Sequence, residues 1–206
     1  MCEKNKKHYK HFFFDFDGML CDSYPHIVGT FIKAMKKLRN VDIDYEEAFS
    51  KFKISFAVAY VFYKITPEED AFYATYHKDI HMEPLAQLYA GVREFLQENI
   101  TRGNQNYIYT NRGETLYGYL ELFDIEHLFT DIIISAQKPD PALLEAMLDK
   151  HSLDRRQCVV VGDRVLDIEG ARNAGVDGIL FDEFYNLADV DATYVIHEIK
   201  ELFDFL

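Results

Sequence analysis

Asp15 and Asp17 stand one residue apart behind the apolar run His11-Phe12-Phe13-Phe14, and Gly18 follows them. Two carboxylates at this spacing can share one divalent cation and still do different work. One can attack as a nucleophile while the other moves a proton. Gly18 lets the backbone turn and come close to a ligand. Taken alone, Asp-x-Asp-Gly reads equally well as a polar turn that closes a strand. The rest of the chain has to decide between the two.

Three further segments end on polar residues of the right type. Val159-Val160-Val161 runs into Gly162-Asp163, so Asp163 repeats the position of Asp15 at the end of an apolar strand. Asp167 follows four residues later, in the first turn of the next helix, where a carboxylate is also favoured on structural grounds alone. Tyr107-Ile108-Tyr109 leads into Thr110-Asn111. A hydroxyl beside backbone amides suits a phosphate oxygen, and Thr110 could equally cap the helix after it. Lys138 sits in Gln137-Lys138-Pro139-Asp140-Pro141, where the prolines stiffen the backbone. A lysine held this way can put a point charge on a phosphate, or it can be an exposed loop lysine. Together Asp15, Asp17, Asp163 and Asp167 would crowd one crevice, and Lys138 alone cannot balance them. A hard cation with oxygen ligands can, and Mg²⁺ bridges carboxylate and phosphate. These residue types fit phosphoryl transfer.

Such residues meet only if strands place them. The run 11–14 has no helical period and reads as a buried strand of a parallel sheet. Strands are also expected at 107–110, 131–134, 157–161, 178–181 and 194–196. Helices are expected at 91–100, 113–122, 141–151, 164–174 and 198–205. This alternation predicts an α/β fold, a doubly wound parallel sheet, in which ligands bind past the carboxyl ends of the strands. Between the first two core strands lies far more chain than a crossover needs. Apolar spacing places helices there at 24–38, 45–52, 56–63 and 66–81, the last opened by the capping box Thr66-Pro67-Glu68-Glu69. The expected division is an α/β core domain of residues 1–20 and 89–206, with a helical cap domain inserted at 21–88.

The chain has 206 residues, 49% hydrophobic and 28% charged, which suits a folded core with a small inserted unit. A net charge of −13 argues against nucleic acid and anionic membrane as partners. No run is long enough to span a bilayer, and no apolar stretch follows the basic residues at 4–7 as in a signal peptide. Cys2, Cys21 and Cys158 match no zinc or disulfide spacing, which fits a reducing, cytoplasmic setting. Residues 1–9 are expected to be a loosely held lead-in. Nothing in the sequence fixes the oligomeric state.

The ordered set Asp15-Phe16-Asp17-Gly18, Thr110, Lys138-Pro139 and Gly162-Asp163 with Asp167 resembles the haloacid dehalogenase-like superfamily. It is most similar to the phosphoglycolate phosphatase and β-phosphoglucomutase branch, which carries a helical cap between the first two motifs. The resemblance covers the chain from Phe12 onward. It implies Asp15 as nucleophile and Asp17 as general acid/base. It implies Thr110, Lys138 and the backbone amides of Gly18 and Asn111 as phosphate ligands. Mg²⁺ would be held by Asp15, the Asp17 carbonyl and Asp163, with Asp167 in support. Met19 departs from the family's usual Thr or Val, and the segment 129–138 is shorter than in many relatives.

The function so implied is a Mg²⁺-dependent phosphatase acting on a small phosphorylated metabolite, of phosphoglycolate or sugar phosphate type. A phosphomutase is the alternative within the same chemistry. A non-catalytic binding module of the same fold is a third reading, and it should lack part of the constellation. The cap is expected to close over the strand ends and exclude water. Lys53 and Ser55, in Phe52-Lys53-Ile54-Ser55-Phe56, are the candidate substrate-facing cap residues, and they read equally well as a solvated turn between helices.

Overall fold

The computed structural model describes residues 6–185, 187 and 190–206. Its elements run β1 His11–Phe14, β2 Cys21–Asp22, α1 Tyr24–Arg39, α2 Tyr45–Ile54, α3 Phe56–Tyr63, α4 Pro67–His77, β3 Gln87–Leu88, α5 Val92–Thr101, β4 Gln105–Tyr109, α6 Thr115–Leu122, β5 Asp131–Ile133, α7 Ala142–Lys150, β6 Cys158–Gly162, α8 Val165–Asn173, β7 Asp177–Phe181 and β8 Tyr194–Ile196. Six of the strands form one parallel sheet in the order β5-β4-β1-β6-β7-β8. This is the doubly wound α/β fold expected from the alternation of elements.

Three consecutive phenylalanines put β1 at the centre of that sheet. Successive strand residues point to opposite faces, so a strand covered on both sides must be apolar throughout. Phe13 stacks on Tyr107 at 4.5 Å on one face, where Tyr109, Val160, Leu144 of α7 and Ala171 of α8 complete the cluster. Phe12 and Phe14 point the other way and meet Phe95 of α5 edge-on at 5.4 and 5.9 Å. Burying each such ring contributes about 1.5–3 kcal/mol. That is a firm anchor for whatever follows Phe14.

Phe14 is in register with Ile108 of β4 and Val161 of β6. The chain adds β4 and β5 on one side of β1, then crosses back to add β6, β7 and β8 on the other. The carboxyl ends of β1, β4 and β6 therefore flank the point where the strand order reverses. Residues 15, 110 and 163 are the next after each of those ends.

The chain divides into two compact units, Met1–Leu20 with Leu88–Leu206, and Cys21–Gln87. The second unit is helical. Its core is built on Phe31 of α1, which packs against Phe52 of α2 at 5.0 Å and Tyr73 of α4 at 5.4 Å. The capping box at Thr66 forms as expected, and α4 ends at His77 rather than 81. No helix among the described residues is long and apolar enough to cross a membrane.

Two expectations need correction. The C-terminal helix is 3₁₀, over Ile199–Phe205, rather than α. The lead-in is not loose where it is described. Tyr9 is buried, its hydroxyl donates to Asp177 at 2.8 Å and its amide to the Phe205 carbonyl, and Lys7 Nζ lies 2.6 Å from Asp177. Residues 1–5 of that expectation lie outside the described residues.

Candidate active site

The strand ends bring four carboxylates together with three cations, of which the sequence reading named only Lys138. Asp15 follows β1 and is fully buried. Its Oδ1 lies 2.9 Å from Lys138 Nζ and its Oδ2 3.0 Å from Arg164 Nη2. Burial pushes the Asp15 carboxyl up. The charges of Lys138 and Arg164, with hydrogen bonds from Lys138 and the Phe16 amide, outweigh burial and hold it down at about 2. Asp15 is therefore ionised at neutral pH.

Lys138 reaches this position although the segment before it is short. The loop after β5 is tied to the end of β4 by three bonds. The amides of Ser135 and Ala136 donate to the carbonyls of Arg112 and Thr110, and the Lys138 amide donates to Asn111 Oδ1 at 2.9 Å. The ammonium then lies between Asp15 and Asp167, 2.6 Å from Asp167 Oδ1, over the ring of Tyr109 at 4.8 Å. The exposed-loop alternative for Lys138 is thereby excluded, since its side chain is fully buried.

Asp163 and Asp167 complete the group. Gly162 is required between strand and site: a Cβ there would meet the Asp167 side chain at 2.3 Å. Asp167 accepts from the Arg164 amide through Oδ2 and from Lys138 through Oδ1. It thus serves both the helix start and the site. Oxygens of Asp15, Asp163 and Asp167, one from each, lie within 4.8 Å of one another, and all three residues are buried. Three hard carboxylate donors with no sulfur or imidazole among them fit a divalent cation of the Mg²⁺ or Ca²⁺ kind.

Asp17 has a separate partner. Arg112 grips it bidentately, Nη2 to Oδ1 at 2.6 Å and Nε to Oδ2 at 2.9 Å. The guanidinium is itself fixed by Thr115 Oγ1, at 3.1 Å from Nη1, and by the rings of Phe16 and Tyr119. A fork-to-fork pair of this kind sets direction as well as charge. Arg112→Met is expected to lower kcat about 10²-fold, because an unclamped carboxylate strays from its working position. Arg112→Lys should recover only part of that loss. Full activity in Arg112→Lys would show that the bidentate geometry is not needed.

Thr110 is buried and its Oγ1 accepts from the Arg112 amide at 3.1 Å. It is not the cap of α6, whose first turn starts at Thr115. Gly18 has φ of 77°, a conformation that glycine adopts without strain. Lys53 and Ser55 belong to the helical unit. Lys53 Nζ lies 5.0 Å from the centre of the Tyr24 ring, and Ser55 Oγ accepts from the Val58 amide as the cap of α3. Arg112 and Arg164 are the residues that sequence reasoning missed. Each directly follows a motif, in Thr110-Asn111-Arg112 and Gly162-Asp163-Arg164, and for Arg164 a basic residue beside the strand-end Asp163 was the available signal.

A parallel sheet with a buried aspartate at its central strand end, a lysine on that aspartate and two more aspartates beside it define an α/β core with an aspartate-cluster site at its strand ends. The family model described as haloacid dehalogenase-like hydrolase matches residues 12–181, and the chain belongs to that family. It is 28% identical over 213 residues to a phosphoglycolate phosphatase from Aliivibrio fischeri, covering 92% of each chain. It is 27% identical over 206 residues to pyrophosphatase PpaX from Halalkalibacterium halodurans, covering 93% of this chain and 94% of that one. The fold superposes on a haloacid dehalogenase-like family hydrolase from Streptococcus pneumoniae with a TM-score of 0.81 at 23% identity, over 95% of this chain and 97% of the other. The family and branch indicated by the motifs are borne out.

Proposed function

We propose that this chain is a Mg²⁺-dependent phosphatase that hydrolyses a small phosphomonoester, of phosphoglycolate or sugar phosphate type, through an aspartyl-phosphate. The observation that carries this reading is the buried, ionised Asp15 at the end of β1, with Asp163 and Asp167 beside it. The charged groups a non-catalytic relative would be expected to lack are all present.

In this reading an Asp15 oxygen attacks phosphorus in line, and the bond from phosphorus to the leaving oxygen breaks. Asp17, turned with one oxygen away from Arg112 and protonated at this step, gives its proton to that departing oxygen. Asp17 then takes a proton from water, the water oxygen attacks the phosphorus of the aspartyl-phosphate, and Asp15 is released with inorganic phosphate. Lys138 and Thr110 hold phosphate oxygens, with the Gly18 and Asn111 amides. Asp15, the Asp17 carbonyl and Asp163 would hold Mg²⁺, with Asp167 in support. The ion would supply positive charge to the phosphate and the carboxylate cluster.

Phosphate release from a generic aryl phosphate, abolished by EDTA and restored by Mg²⁺, tests the reading. A panel of phosphoglycolate, sugar phosphates and inorganic pyrophosphate then ranks substrates. The likeness to PpaX is the reason pyrophosphate belongs on it. An isomerised sugar phosphate with no free phosphate would indicate a mutase instead. Asp163→Asn is expected to weaken Mg²⁺ binding on the order of tenfold or more. It should leave the metal-free fold intact, since it removes one of several crowded charges. Unchanged Mg²⁺ affinity by calorimetry would count against the site as assigned.

A further inference from the structure

Arg164 stands among the oxygens assigned to the metal. Its Nη2 is 3.0 Å from Asp15 Oδ2 and 3.9 Å from Asp167 Oδ1, and its Nε is 3.9 Å from Asp163 Oδ1. Asp15, Asp163 and Asp167 are the same three residues whose oxygens gather within 4.8 Å. The side chain is only 11% exposed, so water screens these contacts little. Its root is fixed as well, because the Arg164 amide donates to Asp167 Oδ2 at 3.0 Å.

Three buried carboxylates carry three negative charges, and Lys138 and Arg164 return two positive ones. Lys138 takes Asp15 Oδ1 and Asp167 Oδ1. Arg164 takes Asp15 Oδ2. A divalent cation held by the same carboxylates would repel a guanidinium on those carboxylates, and the two would compete for the same lone pairs. Arginine cannot relieve the conflict by losing its proton. One of the two cations must give way.

We propose that Arg164 is an internal competitor for the metal. Its guanidinium neutralises the aspartate cluster when the metal is absent, and it leaves Asp15 when a divalent cation binds. The proposal rests on the metal reading given above and adds a consequence to it. In the resting site each Asp15 oxygen faces a cation, Oδ1 Lys138 and Oδ2 Arg164. Departure of Arg164 frees the lone pairs of Asp15 Oδ2 for the divalent cation, so metal uptake and release of the guanidinium are one event.

A merely structural arginine and a competitor predict opposite signs. If Arg164 only braces the cluster, removing it should weaken metal binding. If it competes, removing it should strengthen binding. Mg²⁺ titration by calorimetry is expected to show Arg164→Gln binding about tenfold or more tightly than wild type. Arg164→Lys keeps a charge but loses the planar fork, and it should fall between the two. The metal-free Arg164→Gln protein should melt at a lower temperature than wild type and gain more from saturating Mg²⁺. Should Arg164→Gln not fold without metal, Arg164→Lys carries the test, with affinity above wild type as the expected result. Equal or weaker Mg²⁺ binding in the variant, while wild type binds Mg²⁺, overturns the proposal and leaves the phosphatase reading standing. Wild type that takes up no divalent cation overturns the metal reading and this proposal together.

Discussion

Rapid quenching after mixing with acetyl phosphate is expected to trap one phosphoryl group on Asp17→Asn and none on Asp15→Asn. The two carboxylates are chemically alike and fail differently because their surroundings differ. Asp15 is fully buried between Lys138 and Arg164, which keep it ionised down to about pH 2. The amide of Asp15→Asn has no carboxylate to attack with, so no acyl phosphate can form. Asp17 sits instead on Arg112, two residues on from Asp15 but outside the buried triad. Acetate departs from phosphorus without a proton, so the first step survives in Asp17→Asn. The second step needs a base to draw a proton from water, and such a base is typically worth about 10²–10⁴-fold. The acyl phosphate then outlives the quench. Intact mass gives the added group, and peptide mapping should place it on Asp15. A label on Asp15→Asn, or on any other residue, would remove Asp15 from the role of nucleophile.

The parts of this site that could be read from sequence are those that local pattern determines. Phe12-Phe13-Phe14 and Val159-Val160-Val161 are short apolar runs stopped by polar residues and Gly, which read as buried strands, so Asp15 and Asp163 follow at their ends. The capping box at Thr66 is likewise a contact between residues three apart. What escaped depends on partners far away in the chain. Arg112 meets Asp17 across 95 positions and Arg164 meets Asp15 across 149, and no local period specifies either partner. The burial of Lys138 depends on the loop after β5 being laced to the end of β4, which no period encodes. Tyr9 is fixed by Asp177, 168 residues on. The two-residue strands β2 and β3 are too short to show any alternation. The charge problem posed by four aspartates was visible from the sequence, and the solution was incomplete. The fold supplies Arg112 and Arg164 from the residues directly after two of the motifs.

Lys138→Met is expected to destabilise the metal-free protein by about 3–5 kcal/mol, the usual cost of leaving a buried charge without its partner. Lys138 Nζ lies 2.9 Å from Asp15 and 2.6 Å from Asp167, and the side chains of all three are fully buried. Methionine fills similar space, so the loss comes from charge more than from packing. Arg164 remains 3.0 Å from Asp15 Oδ2 and can still balance that carboxylate, whereas its distance to Asp167 Oδ1 is 3.9 Å. Asp167 is therefore the group left in want of a cation, and adding Asp167→Asn to Lys138→Met should recover much of the stability. This recovery separates the electrostatic account from a general loosening of the loop at 134–141, which a second substitution would only worsen. Urea unfolding of the two variants and wild type, with EDTA present, gives the comparison. A cost below about 1 kcal/mol for Lys138→Met, the range of exposed ion pairs, would mean that water reaches this cluster. A double variant less stable than Lys138→Met would mean that Asp167 has a partner other than the lysine that matters more.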